Sequence, residues 1–171
     1  MSPIAHERFD AVVKGPAFAI GVTADARHII GLSLLPAATR AKAPPADTLA
    51  YLACVQLSGY LDNPRYRFDL PIRLTGSLHQ LKVWEAMREI PAGETRTYGD
   101  IAAEVGSNAR AVGTACGMNP VPIVVPCHRI VAASGLGGFM GGTGEDTLSI
   151  KRWLLAHEGW PGLREAQTAL F

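Results

Sequence analysis

The pattern of apolar residues changes near residue 75, and the two sides of this point predict different structures. Before it, the stretch FAIGVTADARHIIGLSLLP is typical of two strands joined at a polar turn, residues 24–26. After it, short segments with helical spacing alternate with glycine-rich or proline-rich loops. This order favours an α/β (α+β) chain. We expect an N-terminal α/β domain over 1–73, a linker at TGSLHQ, and a mostly helical domain over 76–171.

Capping residues place the helices of the second part. Ser77 precedes an apolar-periodic run over 78–90, and a final helix in LSIKRWLLAHEG ends at Gly159. Two shorter helices, YGDIAAEVG and SNARAVGTACGMN, meet near Gly106 and resemble a helix-turn-helix.

Other segments give less regular expectations. In the first part, Asp47 is predicted to cap a helix over 48–60, and RYRFDLPIRL alternates as a strand. From Pro120 the chain is expected to be extended up to Cys127. The segment AASGLGGFMGGTGED is predicted to be a glycine-rich loop.

Composition excludes several classes of protein. The 171 residues carry a net charge of +1 and are 48% apolar, and no apolar run is long enough to span a bilayer. The three cysteines, Cys54, Cys116 and Cys127, form no CxxC pair and no zinc spacing with the histidines. We therefore expect a cytoplasmic protein without a disulfide framework, a metal or a membrane anchor.

The stretch NPVPIVVPCHRIV places a thiol directly before a histidine and an arginine. A cysteine in an apolar run is most often an inert core residue, and a single histidine most often has a structural role. A neighbouring base, however, makes a thiol a nucleophile, and a third group must orient that base. His128 can reach Cys127 if the chain turns there, or through a water. Glu158 is a candidate for the third group.

The second part of the chain resembles the O6-alkylguanine-DNA alkyltransferase family. The resemblance runs in order through HQLKVWEAMREIPAGETRTYGDIA, RAVGTACGMNPVPIVVPCHRIV and KRWLLAHEG, over nearly all of 75–160. It implies an RNase-H-like N-terminal domain and direct repair of double-stranded DNA that carries O6-alkylguanine, and of O4-alkylthymine. The alkyl group moves irreversibly to the cysteine in a single turnover, with no cofactor and with the base flipped from the minor-groove side. A monomer is expected, and cooperative binding along DNA is left open.

The same resemblance implies roles for single residues. Cys127 is the acceptor, His128 acts as a base through a water, and Glu158 orients His128. Tyr98 donates toward the base and helps to rotate the phosphate, and Asn119 holds the turn before the cysteine. The resemblance also implies a structural role for Arg129, which would hold the site together through hydrogen bonds.

Two further groups of residues follow from the resemblance. The predicted DNA contacts come from residues of the two short helices, with Arg110 as the finger that fills the space left by the flipped base: Thr97, Tyr98, Arg110, Ala111 and Gly113. The predicted walls of the alkylated-base pocket are Cys116, Pro122, Phe139, Met140, Gly141 and Gly142. From the residues alone, the small-residue helix could equally be internal packing, and the glycine-rich loop could be a flexible surface loop.

The chain also departs from the family pattern. Phe139 stands where a tyrosine is usual, so a stacking face remains without its hydroxyl. Cys116 is either a second thiol near the lesion or a packing residue, and packing is favoured. TGEDT, residues 143–147, resembles an insertion before the last helix that we expect to point away from DNA. The turn between Tyr98 and Arg110 is shorter than usual.

Two rival functions fit parts of this pattern. A protein that binds the lesion without repairing it would carry another residue at the cysteine position, and Cys127 is present. A cysteine hydrolase would use Cys127, His128 and Glu158, but such enzymes bring their base from elsewhere in the fold.

Overall fold

The computed structural model describes residues 8–163. The chain divides into two compact units, with the division between Leu74 and Thr75. The domain limits 1–73 and 76–171 stay predictions. The mixture of helices and small sheets in both units confirms the α+β class.

The first unit is an antiparallel meander packed against one helix. Its strands are β1 (Ala11–Lys14), β2 (Phe18–Ala24) and β3 (Ile29–Pro36), in the order β1-β2-β3, and the helix is α1 (Leu49–Asp62). In the register of the sheet Val22 of β2 stands opposite Leu32 of β3, and both residues are buried. The two strands and the polar turn expected from the sequence are confirmed. The RNase-H-like description stays a prediction.

Two expectations for this unit were wrong. Helix α1 is capped by Thr48, whose Oγ1 accepts from the Tyr51 amide, and not by Asp47. Residues 66–74 do not form a regular strand, although Ile29 makes one bridge with Ile72. At Asp69 the backbone amide and carbonyl are hydrogen-bonded by the side chain of Gln56 and not by a neighbouring strand.

The second unit is mostly helical. Its helices are α2 (Leu78–Arg88), α3 (Tyr98–Val105), α4 (Ala109–Gly117) and α5 (Glu145–His157), and the short strands β4 (Arg96–Thr97) and β5 (Ile130–Val131) pair in parallel. The predicted cap of α2 is confirmed as a full capping box between Ser77 and Gln80. Trp84 of α2 is buried, and its indole donates to the Ala115 carbonyl of α4 at 2.9 Å.

Helices α3 and α4 are joined by residues 106–108. Gly106 ends α3 in the left-handed conformation (φ 71°) that glycine adopts without strain. The side chain of Asn108 then caps α4 by accepting from the Ala111 amide at 2.9 Å. Two short helices around a tight turn are therefore present where the sequence predicted them. That these helices contact DNA stays a prediction.

The last helix begins earlier than its apolar pattern predicted. Glu145 and Asp146, which we expected in an inserted loop, form the first turn of α5. Acids are favourable there because the helix macrodipole is positive at that end. None of the helices within residues 8–163 has both the length and the apolar character needed to cross a membrane.

Candidate active site

A clamped turn, and not the extended strand predicted from the sequence, leads into Cys127. The buried Asn119 side chain donates from Nδ2 to the Val125 carbonyl at 2.8 Å and accepts at Oδ1 from the Val121 amide at 3.0 Å. Within this turn Ile123 has a φ of 75°, a strained value for a β-branched residue. The strain is held because Asn119 bonds the chain on both sides of it.

Cys127 opens a single 3₁₀ turn, Cys127–Arg129, directly before β5. The side chain is only 4% exposed, and it lines a cavity of about 470 Å³. Burial raises the pKa of Cys127 to about 11, although a hydrogen bond from Asn119 and the charge of Lys151 act in the opposite direction. At neutral pH the resting side chain is therefore a thiol, and a nucleophilic thiolate requires a base.

His128 and Glu158 form a buried pair, with His128 Nε2 2.7 Å from Glu158 Oε1. An ionised carboxylate can only accept, so Nε2 carries the proton and Nδ1 keeps its lone pair. Nδ1 is buried without a hydrogen-bond partner among the described protein atoms. Burial lowers the pKa of His128 below its ordinary value, although Glu158 favours the cation. The imidazole is therefore neutral, with Nδ1 as its basic atom.

Arg129 holds Glu158 in place. Its Nε lies 3.0 Å from Oε2 of Glu158 and its Nη2 lies 2.8 Å from Oε1, while Nη1 donates to the Ile90 carbonyl at 2.6 Å. Burial alone would raise the pKa of Glu158, but the hydrogen bonds and charges of His128 and Arg129 hold it well below its usual range. The carboxylate therefore stays ionised and fixes the tautomer of His128.

Lys151 is a site residue to which sequence reasoning gave no role. Its side chain is fully buried in α5, and Nζ donates to the carbonyls of Ile130, Leu136 and Gly138 at 2.6–2.9 Å. Burial lowers its pKa to about 8. The available signal was a lysine among the inward positions of an apolar helix, where a buried cation needs several acceptors.

Tyr98 and the glycine-rich loop close one side of the cavity. The Tyr98 hydroxyl donates to the Gly138 carbonyl at 3.2 Å, and burial raises the pKa of Tyr98 to about 12. The cavity brings together most of the residues that the sequence assigned to a base pocket: Cys116, Phe139, Met140, Gly141 and Gly142. Pro122 is not among its lining residues, because it is buried in the turn that Asn119 clamps.

The residues predicted to contact DNA lie along α3 and α4. Thr97 caps α3 through its hydroxyl, and Arg110 is exposed near the start of α4. Ala111 and Gly113 are half-buried on α4, and a Cβ placed on Gly113 would lie 3.9 Å from the Tyr98 ring. The structure thus places a cation and small residues on the helix that lines the cavity mouth.

Known proteins resemble this chain in sequence and in fold. Residues 79–160 match the family model of the 6-O-methylguanine DNA methyltransferase DNA binding domain. A methylated-DNA–protein-cysteine methyltransferase of Mycolicibacterium paratuberculosis is 49% identical over 62% of this chain, and one of Methanosarcina acetivorans is 45% identical over 61%. These matches span 63% and 65% of the relatives' own lengths.

Solved structures extend the likeness to the first unit. The O6-methylguanine methyltransferase of Mycobacterium tuberculosis superposes with a TM-score of 0.70 at 34% identity, over 86% of this chain and 90% of that one. The same enzyme solved in complex with DNA also gives 0.70, at 36% identity over the same shares. The structure is that of a two-unit α+β protein with a buried free cysteine that lines a cavity. The chain belongs to the O6-methylguanine-DNA methyltransferase family.

Proposed function

We propose that this protein repairs alkylated double-stranded DNA by moving an alkyl group from O6 of guanine, and from O4 of thymine, to Sγ of Cys127. The observation that carries the proposal is the buried series Cys127, His128, Glu158 and Arg129, in which one neutral imidazole nitrogen remains free to take a proton. Family membership supports the reaction class. Each molecule acts once, because a thioether bond has no route back to the thiol here.

The chemistry is a displacement at the alkyl carbon. The thiol proton of Cys127 passes through a bridging water to Nδ1 of His128, and the thiolate attacks the carbon as its bond to O6 breaks. The electron pair of that bond stays on the guanine, which takes up the proton that the imidazolium gives back through water, so that the unmodified base remains in the DNA and His128 returns to its neutral form. Glu158 stabilises the imidazolium formed in between and Arg129 holds Glu158, so both are positioning residues.

Access to the lesion requires a flipped nucleotide, because Cys127 lies inside a cavity and a stacked base cannot reach it. A volume of about 470 Å³ falls within the range of ligand pockets, about 300–1,000 Å³. In the proposal Arg110 fills the gap left in the duplex, and the small residues of α4 approach the minor groove. The mycobacterial structure solved in complex with DNA supports a DNA partner.

Intact mass after incubation with a duplex that carries O6-methylguanine tests the proposal. We expect a gain of one methyl group in place of one hydrogen, absent in Cys127→Ala and kept in Cys54→Ala, since Cys54 lies in the first unit. Lesion binding without a gain would indicate a non-repairing binder. Turnover of an ester without a gain would indicate a hydrolase.

Base flipping has its own test in Arg110→Ala. This variant should slow repair of the duplex far more than reaction with free O6-benzylguanine, because only the duplex must be opened. An equal loss on both substrates would exclude the finger role.

A further inference from the structure

Met140 lies directly against the nucleophile. The Cys127 thiol points to the Met140 thioether, with Sγ and Sδ 3.5 Å apart, and both side chains line the same cavity. The sulfur of Cys127 is therefore in contact with a flexible apolar side chain on the side from which a substrate would enter.

The backbone at Met140 is unusual for this residue type. Phe139 and Gly142 exchange two backbone hydrogen bonds, at 2.8 and 2.9 Å, around a two-residue turn. Its central residues, Met140 and Gly141, both have positive φ, 51° and 77°. Turns of this kind favour asparagine or glycine at the first position, because a larger side chain is strained there. A strained residue in an ordered turn points to a role for its side chain.

The turn is held on both sides, so its backbone cannot retreat from the cavity. At the tip, a Cβ placed on Gly117 of α4 would lie 3.0 Å from the Gly141 Cα, which shows how closely helix and turn approach. At the base, Lys151 binds the carbonyls of Leu136 and Gly138. The methionine side chain has three rotatable bonds and is the part of this turn that can move.

We propose that Met140 is a movable gate over Cys127 that determines which sizes of alkyl group are transferred. The inference rests on the proposed function. A reacting carbon must come within about 3–3.5 Å of the sulfur, the separation at which the thioether now stands, so the two cannot occupy the site together. A methyl group needs a small rotation of Met140, whereas a benzyl group needs a large one. Rotation also frees the thiol proton for the path to His128.

Transfer rates from duplexes with O6-methylguanine and O6-benzylguanine test the gate in the full-length protein. Met140→Ala should raise the ratio of benzyl to methyl rate constants at least about tenfold, because the change removes three heavy atoms and a single methylene in an apolar pocket is worth about tenfold or more. Met140→Leu, which keeps the bulk, should leave the ratio close to that of the wild type. Met140→Gly suits the positive φ and gives a second truncation if alanine folds poorly.

Leu78→Ala is the control, because this apolar side chain of α2 is 70% exposed and is not among the residues that line the cavity. Its ratio should equal that of the wild type. Iodoacetamide, a small reagent that needs no DNA, should modify Cys127 faster in Met140→Ala and Met140→Gly. An unchanged ratio and an unchanged iodoacetamide rate in both truncations would overturn the gate. Failure of the wild type to take a methyl group would refute the proposed function, while the iodoacetamide rates would still decide on the gate.

Discussion

A buried carboxylate with two partners is the residue on which the site depends most. Glu158 accepts from His128 and from two nitrogens of Arg129, and its side chain is inaccessible to solvent. Removing one partner of such a group leaves the others buried and unpaired. The loss of stability is then larger than if apolar residues had stood in place of the whole group. The same contacts that orient the base therefore also contribute to the stability of the fold.

Glu158→Gln should lower both stability and transfer. We expect the free energy of unfolding at pH 7 to fall by about 3–5 kcal/mol, because Arg129 loses its charge partner, and transfer to slow by about 10²–10⁴-fold as His128 loses its orientation. Urea unfolding and single-turnover rates measure the two effects. Glu94→Gln, an exposed control, should change stability by less than about 0.5 kcal/mol.

The effect on stability should depend on pH with a definite sign. The folded-state pKa of Glu158 is lowered by His128 and Arg129 against the effect of burial. Its contribution is then complete above the unfolded pKa of about 4.3 and is lost as the pH falls below that value. The difference in unfolding free energy between the wild type and Glu158→Gln should therefore shrink below about pH 4.3. A difference that stays constant down to pH 3 would contradict this origin.

At the scale of elements, capping signals predicted helix ends in the second unit but missed the cap of α1 by one residue, and contacts between distant segments could not be predicted. Ser77 and Gly106 marked helix ends correctly, because caps act on neighbouring residues. The approach to Cys127 looked extended, because valines and isoleucines favour strands. The clamp from Asn119 overrides that preference with tertiary hydrogen bonds that no local pattern reveals.

Some residues of the site could be predicted from the sequence, and others could not. The resemblance singled out Cys127, His128 and Glu158, and the structure brings His128 and Glu158 into contact. The acceptors of Lys151 lie 13–21 residues away on separate segments, so its role could not be read from spacing. The contact between Met140 and Cys127 depends on a turn for which methionine is an unfavourable first central residue. The glycine-rich pattern predicted a loop there but not this contact.

The packing of α4 against the glycine-rich turn gives a prediction at this scale. Gly117→Ala should lower the free energy of unfolding by about 1–3 kcal/mol, because its Cβ would lie 3.0 Å from the backbone of Gly141. Gly99→Ala on α3 is the control, since its Cβ would meet only an ordinary contact at 3.7 Å. That change should be neutral or stabilise by up to about 1 kcal/mol through helix propensity. Equal stability of the two variants would show that the turn yields easily.

At the scale of the whole molecule, the described site is assembled within the second unit. Its groups come from segments far apart in sequence: the Asn119 turn, the glycine-rich loop, α5, and the Ile90 carbonyl after α2. Such a site forms only when that unit is folded. A group added to Cys127 therefore disturbs the packing of all the segments that meet there. Chemistry on the sulfur should thus be visible in the stability of the protein.

The alkylated product should be less stable than the free protein. Cys127 is 4% exposed and already touches Met140, so an added methyl group overpacks the site by about 1–3 kcal/mol. For a unit of this size each kcal/mol corresponds to about 4–8 °C in Tm. Thermal melting before and after reaction with O6-methylguanine DNA, with the DNA removed, measures the shift, and Cys127→Ala treated alike should show none. The decrease in Tm should be larger for the benzylated product, and it should be smaller in Met140→Ala, because the alkyl group occupies the space of the methionine side chain. A product that melts at or above the temperature of the free protein would refute the proposal that the alkyl group crowds the site.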